Sequence, residues 1–232
     1  MIRLVDQMRR ALFGCRSLLL FLMLSCMSLT AWAGDEALAP GFYIQEDRAA
    51  VAYSPRPGHR GKFRERLNKE LQRHPRNVSA RIHRAYLLER AGDHERAQRD
   101  YAAALEAAPP QGIEYRHILW SRGWSRYGMG DVAGALEDWR QCALLHGGRP
   151  FWVPYTFALA YWTQGDKPQA LAWYDAAVAS NQAWGTEAGM ADKSKRWRPE
   201  QRERIKALFY AWKTPGPLTE STTVPAIPPP SP

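Results

Sequence analysis

Cysteine is the first scarcity in this 232-residue chain: there are three, at Cys15, Cys26 and Cys142. Two of them fall in an amino-terminal stretch with the marks of an export leader, which leaves Cys142 alone. A lone thiol closes no internal disulfide, so stability has to come from packing even in an oxidising compartment. Cys142 is then either a reactive thiol or a small buried side chain. The six histidines lie at 59, 74, 83, 94, 117 and 146, without the paired spacing of a metal-binding helix, and no second cysteine joins them. No Gly-x-Ser-x-Gly elbow is present. "GWSRYGMGD" holds glycines but lacks the Lys-Ser/Thr ending of a phosphate loop. No apolar run reaches the roughly 20 residues of a spanning helix. These absences remove the usual catalytic, metal and nucleotide readings. No cofactor is expected and the chain reads as a non-enzyme.

The leader has three parts. Arg3, Arg9, Arg10 and Arg16 precede the apolar run from Ser17 to Leu24, and Ala31-Trp32-Ala33 follows. A basic start, a short apolar core and small residues at −3 and −1 make a secretory signal over residues 1–33, cleaved after Ala33. Met23-Leu24-Ser25-Cys26 offers an alternative, lipid attachment at Cys26, and an uncleaved anchor is the third option. Membrane association is expected only if Cys26 carries lipid.

The net charge is +9, unevenly spread. Arg56 to Arg99 holds 13 basic and 5 acidic residues, while Asp100 to Asp192 holds 6 basic and 10 acidic. Basic blocks attract anionic lipid, glycan, nucleic acid or acidic protein, or they are solvated helix faces. The export leader argues against nucleic acid.

What the chain has in quantity is punctuation. Gly-Asp recurs at Gly92, Gly130 and Gly165, opening "GDHERAQRDYAAAL", "GDVAGALEDWRQCAL" and "GDKPQALAWYDAAV". Each is followed at fixed distance by Ala (Ala97, Ala135, Ala170), then an aromatic (Tyr101, Trp139, Tyr174), then a small residue (Ala104, Cys142, Ala177). Glycine ends one helix in a left-handed conformation, aspartate caps the next, and alanine lets the two approach. A period near 34 residues with this order marks stacked helical hairpins, since one hairpin cannot bury its apolar face alone.

These positions resemble the tetratricopeptide repeat family. Ala85, Gly123 and Ala158 stand at its eighth position, Ala97, Ala135 and Ala170 at its twentieth, and Tyr101, Trp139 and Tyr174 at its twenty-fourth. Pro109 matches the terminal proline of the first repeat. The resemblance implies an all-α fold, a right-handed superhelical solenoid of about three hairpins over residues 78–184. The repeats would cover 78–111, 116–149 and 151–184. An N-terminal extension is assigned to 34–57. Gly58, one period before Gly92, opens a half-repeat over 58–77 whose Phe63, Leu67 and Leu71 make one apolar stripe. Residues 185–213 read as a linker and a capping helix, with Pro199 in its first turn and Ile205, Leu208, Phe209 and Trp212 on one face. Residues 214–232 read as a proline-rich extended or disordered tail.

In this family the first helix of each hairpin lines a concave groove through positions two, five, nine and twelve. The resemblance therefore places Ser79, Ile82, Tyr86 and Glu89 there, then His117, Trp120, Trp124 and Tyr127, then Trp152, Tyr155, Leu159 and Trp162. Family members that hold acidic C-terminal tails carry Lys, Asn and Arg at positions five, nine and twelve. Here Ile82, Tyr86 and Glu89, and Trp120, Trp124 and Tyr127, stand instead, so the resemblance does not extend to a carboxylate clamp. Aromatics bring rigid area suited to peptide or sugar, including proline-rich segments, with Arg116, Arg122 and Arg126 as flanking charges. Trp139 and Tyr174 read as packing between hairpins. The third hairpin and the Trp-rich cap also look like repeat domains of Gram-negative envelope proteins associated with TonB-type energy transducers. The expectation is a periplasmic scaffold or adaptor that binds an extended segment of another envelope protein in the aromatic groove. The alternatives are a cell-wall glycan-binding or glycan-processing accessory, and a lipid-anchored assembly factor of an outer-membrane machine.

Overall fold

The computed structural model describes residues 38–51 and 60–214. The leader, Gly58 and the proline-rich tail lie outside the described residues. The chain divides at Ala39–Pro40, and every described helix belongs to the part after it.

The described residues are all-helical. α1 is Arg60–Arg73, α2 Val78–Arg90, α3 His94–Ala107, α4 Ile113–Gly128, α5 Val132–His146, α6 Val153–Gln164 and α7 Lys167–Ser180. A short 3-10 turn, Gln182–Gly185, leads to α8, Glu187–Ser194, and α9, Pro199–Lys213. The one β-type pairing among the described residues is an isolated parallel bridge, Gln45 to Pro150.

The Gly-Asp punctuation sets the helix boundaries. Gly92, Gly130 and Gly165 take φ of 82°, 90° and 85°, the left-handed region where a Cβ would be strained. The aspartate that follows serves two helices at once. Its main-chain N–H closes the helix behind, donating to Leu88, Arg126 or Tyr161 O at 2.9–3.0 Å. Its carboxylate opens the helix ahead, accepting from Arg96 N at 3.3 Å, Gly134 N at 2.9 Å and Gln169 N at 3.1 Å. Each such cap is worth about 1 kcal/mol. Asn77 does the same for α2, accepting from Ala80 N at 3.0 Å.

These turns fold α2 on α3, α4 on α5 and α6 on α7. Each pair leans on the next: α2 and α3 both touch α4, and α5 touches α6. α1 packs on α2, and α9 closes the far end against α6, α7 and α8. Ala97, Ala135 and Ala170 are fully buried, as are Trp139 and Tyr174, with Tyr101 at 1% exposure. Cys142 is also fully buried, with its Sγ donating to Arg116 O at 3.3 Å. Burial pushes that thiol well above its ordinary range, so it is a packing residue.

Within 185–213, read from sequence as a linker and a capping helix, a further short helix, α8, precedes α9, and the 3-10 turn before it packs into the fold. Trp184 is buried, and its carbonyl accepts from the Tyr174 hydroxyl at 2.9 Å. The second hairpin also starts earlier than its assigned boundary, at Ile113 rather than Arg116.

Candidate functional site

α4 supplies the aromatic row His117, Trp120, Trp124 and Tyr127, spaced three or four residues apart and hence on one side of the helix. The rings touch in sequence. His117 stacks on Trp120 at 6.4 Å between centroids, Trp120 meets Trp124 edge-on at 6.3 Å, and Trp124 meets Tyr127 edge-on at 6.3 Å. α6 adds Tyr155 in the same neighbourhood, because Trp197 bridges the two helices. Its ring lies 5.2 Å from Trp124 and 5.7 Å from Tyr155. Trp184 completes the group, 5.1 Å from Tyr155 and 6.0 Å from Trp197.

The twelve positions assigned to the groove divide by burial. Ile82, Trp120, Tyr127, Trp152, Leu159 and Trp162 are buried, whereas Tyr86, His117, Trp124 and Tyr155 are half-buried. Ile82 belongs to the core formed by Val78, Ala85, Leu88, Tyr101 and Ile118. Tyr86 lies on the smaller cluster of Leu67, Leu71, Ala80 and Leu87 beneath α1. Tyr127 bonds Thr163 Oγ1 at 2.6 Å, and burial pushes its hydroxyl up to about 12. Ser79 is exposed, and Glu89 is buried.

Two segments of the chain itself lie over this face. The first runs from Pro40 to Val51. Its Tyr43 sits on Trp173 at 5.8 Å, and Gln45 pairs its N–H and C=O with Arg149 and Phe151 at 3.1 and 3.0 Å. Asp47 then enters the protein. Its carboxylate takes Arg116 Nη1 at 2.9 Å, Trp152 Nε1 at 3.0 Å and its own Ala49 N–H at 2.9 Å. Ala49 O meets His117 Nδ1 at 2.7 Å. Two groove positions, His117 and Trp152, thus hold this amino-terminal strap.

The second segment is the α8–α9 connection. Beside Trp197, the Arg198 guanidinium pairs with Glu89 and lies over Gly128. Burial raises the Glu89 pKa above the ordinary carboxylate value, and the Arg198 charge opposes that rise.

The three arginines expected as flanking charges of the groove are all held in ion pairs. Arg116 is tied to Asp47. Arg122 makes two bonds to Asp138, at 2.8 and 2.6 Å, and Arg126 reaches the same carboxylate at 3.2 Å. In the first hairpin Asp100 takes Arg84 through two bonds of 2.7 Å and Arg81 at 3.1 Å. The Arg–Asp spacing of 16 residues is the same in both hairpins. In the third hairpin the equivalent pair is Phe157 and Trp173, edge-on at 4.9 Å. A buried carboxylate must be paired, and these arginines serve that need.

Sequence reasoning missed Asp47, Trp197, Arg198 and the Asp100 and Asp138 pairs. The latter two carried a signal, an aspartate just before each of two second-helix aromatics and an arginine 16 residues earlier. Asp47 carried none, since its partners lie 69 and 105 residues away.

Two polar atoms in the aromatic row have no partner. The indole N–H groups of Trp120 and Trp124 are buried without an acceptor among the described residues. A buried donor without an acceptor costs roughly 1–3 kcal/mol. Among the described residues no cluster of His, Cys, Asp or Glu has the geometry to hold a metal ion. No described helix is long and apolar enough to cross a membrane. Set against protein-family models, curated proteins and solved structures, the chain matches none.

Proposed function

We propose that the chain is a non-catalytic, exported scaffold of helical hairpins, a solenoid of tetratricopeptide type, that binds an extended segment of another envelope protein along the aromatic face of α4 and α6. The carrying observation is the pair of buried, unsatisfied indole N–H groups on Trp120 and Trp124. They sit one helical turn apart, with the half-buried ring of His117 against Trp120 and that of Tyr155 reached through Trp197. An extended main chain brings carbonyl acceptors at regular intervals, and aromatic walls supply the apolar contact. The chain's own Trp197 occupies part of that space, so a bound segment would share the face with Trp197 or replace it. The export leader of residues 1–33 places this activity in the periplasm, or at the outer membrane if Cys26 is lipidated.

The test is affinity capture from an envelope fraction with the full chain and with Trp120→Ala/Trp124→Ala. Buried aromatic hot spots cost at least about 2 kcal/mol each on truncation, so the captured partner should be lost while far-ultraviolet circular dichroism keeps its helical signal. Equal capture by the two proteins would remove the aromatic face from consideration. Trp197→Ala should strengthen capture if Trp197 competes for the same space.

A further inference from the structure

α1 carries Arg60, Lys62, Arg64, Arg66, Lys69 and Arg73, all exposed. Four of them, Lys62, Arg66, Lys69 and Arg73, follow one another at intervals of four, three and four residues. At 3.6 residues per turn that spacing draws one straight row along the helix, about 16 Å from end to end. The row lies opposite Leu67 and Leu71, which are buried against α2. α2 is the one helix against which α1 makes its main contacts, so the cationic side looks outward.

The charge of α1 is unspent. Elsewhere the fold ties its arginines to acids: Arg81, Arg84, Arg116, Arg122, Arg126 and Arg198 all sit in ion pairs with buried carboxylates. Among the described residues none of the six cations of α1 forms an ion pair. Of the two acids on the helix, Glu70 accepts from Asn77 Nδ2 at 2.9 Å and Glu65 stands exposed. Arg66 lies over the Phe63 ring, 5.3 Å from its centroid, which fixes where that guanidinium emerges. Holding like charges in one row costs free energy through repulsion unless an anionic partner meets them.

From this we infer that the α1 row is a docking surface for an anionic phospholipid bilayer. The shape selects the partner. The row is straight and lies on the outer side of a single helix, so a plane of phosphates can meet all four cations together. The apolar side of α1 is spent on α2, so the contact is electrostatic and peripheral, without insertion. It is independent of the aromatic face and of lipid at Cys26.

The experiment is co-sedimentation of the full chain with vesicles of phosphatidylglycerol and phosphatidylcholine in a one-to-three ratio. Three proteins are compared: the natural chain, Lys62→Gln/Arg66→Gln/Lys69→Gln/Arg73→Gln, and a control with equal charge loss, Lys193→Gln/Arg196→Gln/Arg202→Gln/Lys206→Gln. Each basic residue near an anionic leaflet contributes about five-fold in partitioning. The α1 variant should bind about six hundred-fold more weakly than the natural chain, and the control should lose much less. Raising salt from about 0.01 M to about 0.15 M, which shortens the screening length from about 30 Å to about 8 Å, should release the natural chain. The inference is overturned if the α1 variant binds like the natural chain, if the control loses as much, or if binding survives salt. It is also overturned if the row prefers soluble polyglutamate, with the vesicles left unbound at low salt. Circular dichroism checks that all three proteins keep their helices.

Discussion

Gly123 on α4 lies directly against the indole of Trp139 on α5: a Cβ placed on this glycine would stand 2.6 Å from Cδ1 and 2.9 Å from Cε2. The close approach lets Trp139 Nε1 donate to Trp120 O at 3.3 Å. In the other two hairpins the same positions hold Ala85 with Tyr101 and Ala158 with Tyr174. The larger ring is matched by the smaller residue, so the pair is one packing unit spread over two helices.

A sign reversal follows from that match. Overfilling a closed core costs about 1–3 kcal/mol, which outweighs the ~1 kcal/mol that alanine gains over glycine within a helix. Gly123→Ala should therefore destabilise the natural chain by up to about 2 kcal/mol. In a Trp139→Tyr background the clash is gone, and the same substitution should stabilise. Urea midpoints for the four proteins of this cycle decide the point, provided the slopes stay equal.

The amino-terminal strap should hang on Asp47. Asp47→Ala removes the acceptor of Arg116 and of the buried Trp152 indole, and leaving one partner of a buried pair costs about 3–5 kcal/mol. Hydrogen exchange should show residues 40–51 losing protection first, at a lower opening free energy than α4 and α5. Protection unchanged over that stretch would mean that Tyr43 and Gln45 hold the strap without the carboxylate.

Acid sensitivity should trace in part to His83. Burial, and after it the nearby charge of His117, lowers the His83 pKa below its ordinary value of 6.5. The unfolded chain takes up this proton at the ordinary value and the folded chain only below it. Stability from His83 is thus fully present above pH 6.5, and it falls as pH drops from 6.5 toward the depressed folded value. His83→Gln should flatten the decline of unfolding free energy as pH falls below 6.5. A slope identical in both proteins would assign the acid response to other groups.

What was legible in the sequence was local. Gly92, Gly130 and Gly165 each needed only their own φ, and Asp93, Asp131 and Asp166 each needed only an N–H three residues on. Those signals set the helix boundaries, the pairing of helices and the burial of Ala97, Ala135 and Ala170. The aromatic row of α4 was legible too, because a helix puts residues three and four apart on one side whatever surrounds it. The Arg84–Asp100 and Arg122–Asp138 pairs lay within one hairpin and were written at constant spacing, though a buried ion pair has no apolar period to draw the eye.

Which side chains of that row meet solvent was decided elsewhere in the chain. Trp124 is more than half covered, and Trp197, 73 residues beyond it, folds back on its ring. Trp152 is buried because Asp47, 105 residues earlier, reaches its indole. Arg116 is a structural anchor for the same reason. Hydrogen bonds and ring contacts over such separations depend on the final arrangement of every helix between them, and no local period encodes them. The sequence by itself determined where helices begin, turn and face one another. The tertiary structure alone determined that both ends of the described chain return to cover the aromatic face, since only the assembled hairpins bring Asp47 and Trp197 within reach of it.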